Sequence, residues 1–199
     1  MSYSIIGFGA IGQALARAFA RKNIAVTVAS RRPPEALLQQ ARAIGPNVVP
    51  RTLQDALASD TIFLAVPFWK HRDVAQQLTS WQGKTIIDVT NAFGIPVEDL
   101  ENQPPSAVVA KAFTGARFVK GFNHLPAAAL AADPNVHGGS RVMFLSSDDK
   151  TAVAPVAALA ERLGFAPIAL GALKDGGALV QGRGNTWGEL IFKDLVKFE

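Results

Sequence analysis

A chain of 199 residues, 49% hydrophobic and 18% charged, can bury a substantial α/β core, and its composition excludes extensive disorder. The net charge of +4, with no basic run and no interleaved aromatics, argues against a nucleic-acid partner. The absence of cysteine excludes disulfides, thiol redox chemistry and thiolate zinc sites, and His71, His124 and His137 lack metal-ligand spacing, so no metal is expected.

The chain opens on a short apolar strand, Tyr3-Ser4-Ile5-Ile6, followed by Gly7-Phe8-Gly9-Ala10-Ile11-Gly12 and a helical stripe of Ile11, Leu15 and Phe19. Strand, glycine turn and helix in this order form a dinucleotide fingerprint. Gly7 makes the turn, Gly9 lets backbone approach a pyrophosphate, and Gly12 lets the helix pack on the strand. The helix N-terminus then points free N–H groups at the turn, and Asn23 stops the helix.

Ile24 to Ala29 reads as a buried second strand. An NAD-binding protein would carry an acidic residue at its end; here stand Ser30, Arg31 and Arg32, suited to the 2′-phosphate of NADP(H). Pro33-Pro34 presets a helix that Gly45 ends, and a short strand at Val48-Val49 precedes a helix over Leu53 to Ala58, opened by Thr52. Thr61 to Val66 is a fourth strand closed by Pro67. A helix over Arg72 to Trp81 and a strand over Thr85 to Val89 follow.

Beyond an irregular stretch lie a helix near Ser106 to Phe113 and a strand over Arg117 to Phe122. A loop through Asp133 to Gly139 leads to the strand Val142–Ser146. A helix capped by Asp148 or Asp149 reaches Leu163, and a last strand spans Phe165 to Leu170. Trp187, Leu190, Ile191 and Leu195 predict a C-terminal amphipathic helix. The alternation implies a Rossmann-type, doubly wound, mostly parallel sheet forming one domain over 1–199, with a helical extension over about 172–199. A large helical dimerisation domain would need on the order of 100 further residues, so the substrate site is expected on the Rossmann body itself. No signal-peptide pattern and no long apolar run are present; a cytoplasmic protein without membrane contact is the expectation.

Ligands of such sheets sit beyond the C-terminal strand ends. After strand four, Val66 and Pro67 could pass the nicotinamide ribose while Phe68 or Trp69 flanks a planar group, or both aromatics are ordinary core. After strand five, Asn91 could hold a carboxamide or ribose hydroxyl, or simply form a turn. After strand six, Asn123 and His124 are the polar candidates facing a second substrate, His124 otherwise being structural. His71 and His137 read as surface residues. No residue is assigned as catalytic: direct hydride transfer needs orientation more than acid–base groups.

With these residues assembled, the chain resembles the NADPH-dependent reductase family typified by the NADP oxidoreductase of coenzyme F420, a deazaflavin. The resemblance rests on the glycine turn, Ser30-Arg31-Arg32, Val66-Pro67, Phe118 through Asn123, Leu125-Pro126-Ala127, and Gly164-Phe165 through Lys174. The cytoplasmic domains of six-transmembrane ferric reductases look similar, which widens the acceptor to FMN or FAD. The resemblance implies a homodimer with NADP(H) at the glycine turn and a planar acceptor over the loop from Asn123 to Ala127. By it, Ser30, Arg31 and Arg32 hold the 2′-phosphate, Val66, Pro67 and Asn91 line the nicotinamide half, and Asn123, Leu125 and Ala127 flank the hydride path. His124 stands where family members more often have threonine. The alternatives are reduction of a quinone or chelated ferric ion, and a non-catalytic NADP(H)-binding redox sensor.

Overall fold

Among the described residues eight strands build one sheet, and the order in which they lie decides where a ligand can enter. The fold is that of a computed structural model, which describes residues 1–96 and 98–180. β1 (Tyr3–Ile6), β2 (Val26–Ala29) and β3 (Val48–Pro50) alternate with α1 (Ala10–Arg21) and α2 (Leu38–Ile44). α3 (Leu53–Leu57), β4 (Thr61–Leu64), α4 (His71–Ala75), β5 (Thr85–Asp88), α5 (Pro105–Ala112) and β6 (Arg117–Gly121) continue the alternation. Then come α6 (Ala127–Ala131), a hairpin of β7 (Asn135–Val136) and β8 (Gly139–Ser140), β9 (Val142–Ser146), α7 (Lys150–Arg162) and β10 (Ala166–Ala169).

The sheet order is β3-β2-β1-β4-β5-β6-β9-β10. Every pair is parallel except β6 with β9. The order reverses between β1 and β4, which opens a crevice beyond their C-terminal ends, as in doubly wound nucleotide-binding sheets. Neighbouring residues on each strand face opposite sides. Ile5, Val28, Phe63, Ile87 and Val119 pack on one side with Leu15 and Phe19 of α1 and Leu159 of α7. Ile6, Ile62, Leu64, Ile86 and Phe118 pack on the other with Leu57, Val109 and Trp81. Tyr3, Phe19, Phe63, Phe122 and Phe165 form a chain of tilted and edge-on rings with centroids 5.3–6.1 Å apart. Truncating a fully buried member such as Phe19 to alanine would cost about 3–5 kcal/mol.

Both outermost strands carry a proline. Ala166 and Leu170 turn their N–H groups to β9, and Arg51 turns its own to β2. By the two-residue repeat, the nitrogens of Pro167 and Pro50 face away from the sheet, where proline's missing donor breaks no ladder bond.

Caps follow the sequence. Thr52 accepts the Asp55 N–H, Asp149 accepts the Thr151 N–H, and Asn23 takes φ +52 just past α1. Three expectations are corrected. The helix over Arg72 to Trp81 stops at Ala75, because the Trp81 indole N–H folds back and donates to the Ala75 carbonyl at 3.0 Å, while the ring packs edge-on to Phe113. The loop between Asp133 and Gly139 contains the β7–β8 hairpin, with His137 and Gly138 both at positive φ as a two-residue turn demands. His71 is buried, not on the surface: its Nδ1 lies 2.5 Å from the Phe68 carbonyl. His137 is exposed. The C-terminal helix through Trp187, Leu190, Ile191 and Leu195 lies outside the described residues. Among the described residues no helix is long and apolar enough to cross a membrane.

Candidate functional site

The crevice begins where β1 ends. Gly7 continues the ladder by donating its N–H to the Ala29 carbonyl at 2.8 Å, then turns at φ +104. A Cβ on Gly7 would lie 2.2 Å from the Ala65 carbonyl oxygen, and one on Gly12 would lie 1.9 Å from that of Gly7. These two glycines let backbones approach. Gly9 differs: its Cβ position meets nothing within 4 Å and faces open space. α1 starts next to it with no side-chain cap and no acidic residue in its first turn. The first intrahelical bond runs from the Gln13 N–H to the Gly9 carbonyl, so the amides of Ala10, Ile11 and Gly12 have no acceptor within the helix. Phe8 anchors the turn by inserting its ring into the core, and Gln13 Nε2 donates to the Phe8 carbonyl. An open glycine against free amides at the positive end of a helix fits a pyrophosphate.

Beyond β2, the Ser30 hydroxyl accepts the Arg32 N–H at 3.0 Å and folds the loop so that Arg31 and Arg32 are exposed. Arg32 Nη2 donates to Gln40 Oε1 at 3.0 Å, which steadies one guanidinium. The Lys70 ammonium, 2.8 Å from Asp73 and assisted by the charge of Arg31, holds the Asp73 carboxyl below its usual range. Lys70 and Arg31, from two different loops, thus both lie near the Asp73 carboxylate.

The other half of the crevice is lined by the ends of β4, β5 and β6. Val66 is half-buried and Pro67 exposed. Phe68 packs into the core beneath them, its ring 5.2 Å from that of His71, so it does not flank a planar group; this corrects its expected role. Trp69, 64% exposed, stands at the edge of the loop instead, as does Phe93 after β5, 65% exposed. Asn91 Nδ2 donates to the Asn123 carbonyl at 2.8 Å, and Asn123 Nδ2 donates to Asn91 Oδ1 at 3.0 Å. This reciprocal clasp joins the two loops, and Asn123 Nδ2 also donates to the Val180 carbonyl at 2.9 Å.

Leu125 is buried in the core, and half-buried Ala127 opens α6. His124 is buried too, its ring 5.0 Å from that of Phe144. Its Nε2 lies 3.2 Å from the Val142 carbonyl, so that nitrogen carries the proton. Burial pushes the His124 imidazole down to about 4, against a weaker opposing pull from the Val142 carbonyl. It is a neutral packing group near pH 7 and not an accessible proton donor, which corrects its place facing a second substrate.

One pair escaped the sequence reading. Asp88 and Lys120 are register partners on β5 and β6, with Lys120 Nζ 3.0 Å from Asp88 Oδ2 and both side chains fully buried. Lys120 also donates to the Thr90 carbonyl, while Asp88 Oδ1 accepts the Thr90 N–H at 2.9 Å. Desolvation lowers the Lys120 ammonium below its usual value, and Asp88 pulls it back. The signal was present: Asp88 follows Ile86-Ile87 and Lys120 follows Phe118-Val119, and a charge at the end of a buried apolar run has no solvent to face. Among the described residues no group of His, Asp and Glu gathers as a metal-ion site.

Comparison with known proteins agrees with this geometry. Residues 2–92 match the family described as NADP oxidoreductase, coenzyme F420-dependent. The solved structure of a hypothetical protein from Sinorhizobium meliloti superposes with a TM-score of 0.89 at 40% identity, covering 100% of this chain and 96% of that one. A provisionally assigned F420-dependent NADP-reductase from Arthrobacter sp. FB24 superposes with a TM-score of 0.69 at 25% identity, over 87% and 86% of the two chains. Metalloreductase STEAP2 of Homo sapiens is 32% identical over 182 residues, which are 87% of this chain and 34% of that protein. The chain spans about a third of the length of the curated metalloreductases it matches. The glycine turn, the basic loop, Val66-Pro67 and Asn91 all fall inside the matched region, and over residues 2–92 the chain matches the coenzyme F420-dependent NADP oxidoreductase family.

Proposed function

We propose that this protein transfers hydride between NADPH and a planar acceptor of the deazaflavin or flavin class, working as a homodimer whose protomer is one domain over 1–199. The observation that carries this reading is the open face of Gly9 at an uncapped helix N-terminus, beside exposed Arg31 and Arg32. Bound NADPH would supply the hydride. The chain's own residues bind and orient: the amides of Ala10, Ile11 and Gly12 receive the pyrophosphate, and Ser30, Arg31 and Arg32 receive the 2′-phosphate. Val66, Pro67, Asn91 and Ala127 line the nicotinamide half. Trp69 offers an exposed indole face for a flat ring to stack on, and Asn123 braces the loop beneath. Leu125, from within the core, keeps the floor of that loop dry. The family match over residues 2–92 supports the deazaflavin, and similarity to the metalloreductase STEAP2 supports testing a chelated metal ion beside it.

The test is stopped-flow oxidation of NADPH with F420, FMN, FAD, a quinone and chelated ferric ion offered separately. Rapid oxidation by F420 or a flavin is expected. Arg31→Ala/Arg32→Ala should weaken NADPH by roughly 2–3 kcal/mol and leave NADH unchanged, because only NADPH carries the phosphate the two arginines meet. Tight NADPH binding with no oxidation by any acceptor would return the chain to the sensor reading, and equal loss for both cofactors would remove the 2′-phosphate assignment.

A further inference from the structure

At the end of β5 the sheet's own hydrogen bonding stops. Val89 makes a last ladder bond, its N–H to the Leu64 carbonyl at 3.3 Å, and Thr90 has left the strand. Both backbone groups of Thr90 are then taken by side chains: Asp88 Oδ1 accepts its N–H, and Lys120 Nζ donates to its carbonyl. The same ammonium bonds Asp88 Oδ2, so one buried ion pair from two neighbouring strands grips a single peptide segment on both sides. Asn91 follows directly and makes the reciprocal clasp with Asn123. The loops after β5 and β6 are therefore joined at two levels, by charge below and by carboxamides above.

A buried ion pair is a poor source of stability, since desolvation offsets its attraction and an apolar pair of similar volume often serves as well. An apolar pair would not, however, fix where Thr90 and Asn91 lie. We infer that Asp88 and Lys120 are positioning residues: through Thr90 they set the height and orientation of Asn91, and with it the seat of the nicotinamide half of the cofactor. The inference rests on the NADP(H) reading above and deepens it. It assigns the adenosine-phosphate half to backbone amides and surface arginines, which this pair does not touch, and the redox half to a buried electrostatic frame.

The experiment compares the intact cofactor with a fragment that lacks the nicotinamide. The double variant Asp88→Leu/Lys120→Met in the full chain replaces the pair by apolar groups, and its melting confirms folding. Calorimetric titration with 2′,5′-ADP and with NADPH is then read against wild type, along with the fluorescence of bound dihydronicotinamide. The fragment should bind within about twofold of wild type, as expected for independent sites. NADPH should bind about tenfold more weakly, one hydrogen bond's worth, with altered nicotinamide emission. Equal affinities for both ligands relative to wild type, or equal losses for both, would overturn the positioning role. If the double variant does not fold, Lys120→Arg is read in the same assays with the same criteria. It keeps the charge but cannot place one compact ammonium on both acceptors. Failure of wild type to bind 2′,5′-ADP would instead overturn the NADP(H) reading itself, and this inference with it.

Discussion

The two ends of the crevice solve the problem of receiving a charged ligand in opposite ways. At the β1–β2 end the polar groups are exposed: helix amides without acceptors, and two arginines standing in solvent. At the β5–β6 end the charges are sealed in, with Asp88 and Lys120 fully buried, while half-buried Asn91 is tied to Asn123. Exposed groups add little to folding and keep their bonding capacity for a phosphate. Buried groups must be satisfied within the protein, so they shape the backbone and not the ligand directly. One end is built for attraction, the other for placement.

The sharpest way to break this contrast is Lys120→Met alone. It leaves the Asp88 carboxylate buried without its partner and should cost about 3–5 kcal/mol, on the order of 10 °C in melting temperature. Arg31→Ala should stay within about 0.5 kcal/mol of wild type in the same thermal melts. If Lys120→Met melts like wild type, the buried end is not the rigid one.

A somewhat smaller effect concerns acid. His124 titrates near 4 in the folded chain and near 6.5 when unfolded. Between those values the unfolded chain takes up a proton that the folded one refuses, so stability falls as pH drops through that window. The loss reaches about 3 kcal/mol below pH 4 and vanishes above roughly pH 6.5. The depressed carboxylates Asp60, Asp73 and Asp149 act only around and below their ordinary value of 3.8. Chemical melts between pH 7 and 4.5 should therefore slope in wild type and flatten in His124→Leu; parallel curves would mean that the imidazole does not carry the slope.

The smallest effect separates two glycines of one turn. Gly12→Ala drives a methyl into the Gly7 carbonyl and should cost about 1–3 kcal/mol. Gly9→Ala, at an extended φ of −80° with open space beyond, should leave melting unchanged and weaken NADPH. Loss of stability in both variants would mean that Gly9 also serves packing.

Most of the sheet was legible because its strands are short, apolar and punctuated, and the phosphate cradle because a strand, three glycines and a helix follow in fixed order. The misreadings have a common physical origin. Trp81 lies at helical spacing from the residues of α4 but reaches the core from a turn, through a single indole bond to Ala75. Phe68, His71 and His124 are amphipathic or aromatic groups whose placement depends on tertiary neighbours that local pattern does not encode. Asp88 and Lys120 are far apart in sequence and become one object only through the β5–β6 register. A strand-turn-helix motif is local and legible as it stands; a cross-strand pair leaves only two separate charges in the sequence, and the register is what joins them.

The prolines at the two rims of the sheet have a consequence for how copies of this chain can meet. Strand addition, in which a second molecule prolongs the sheet edge to edge, needs an uninterrupted row of outward donors and acceptors. Pro50 and Pro167 each remove an outward donor from a strand of only three or four residues. Self-association by a shared continuous sheet, and with it the open-ended stacking that leads to fibres, is therefore disfavoured at both rims. Among the described residues, the helices and loops are therefore where contact between copies would be sought.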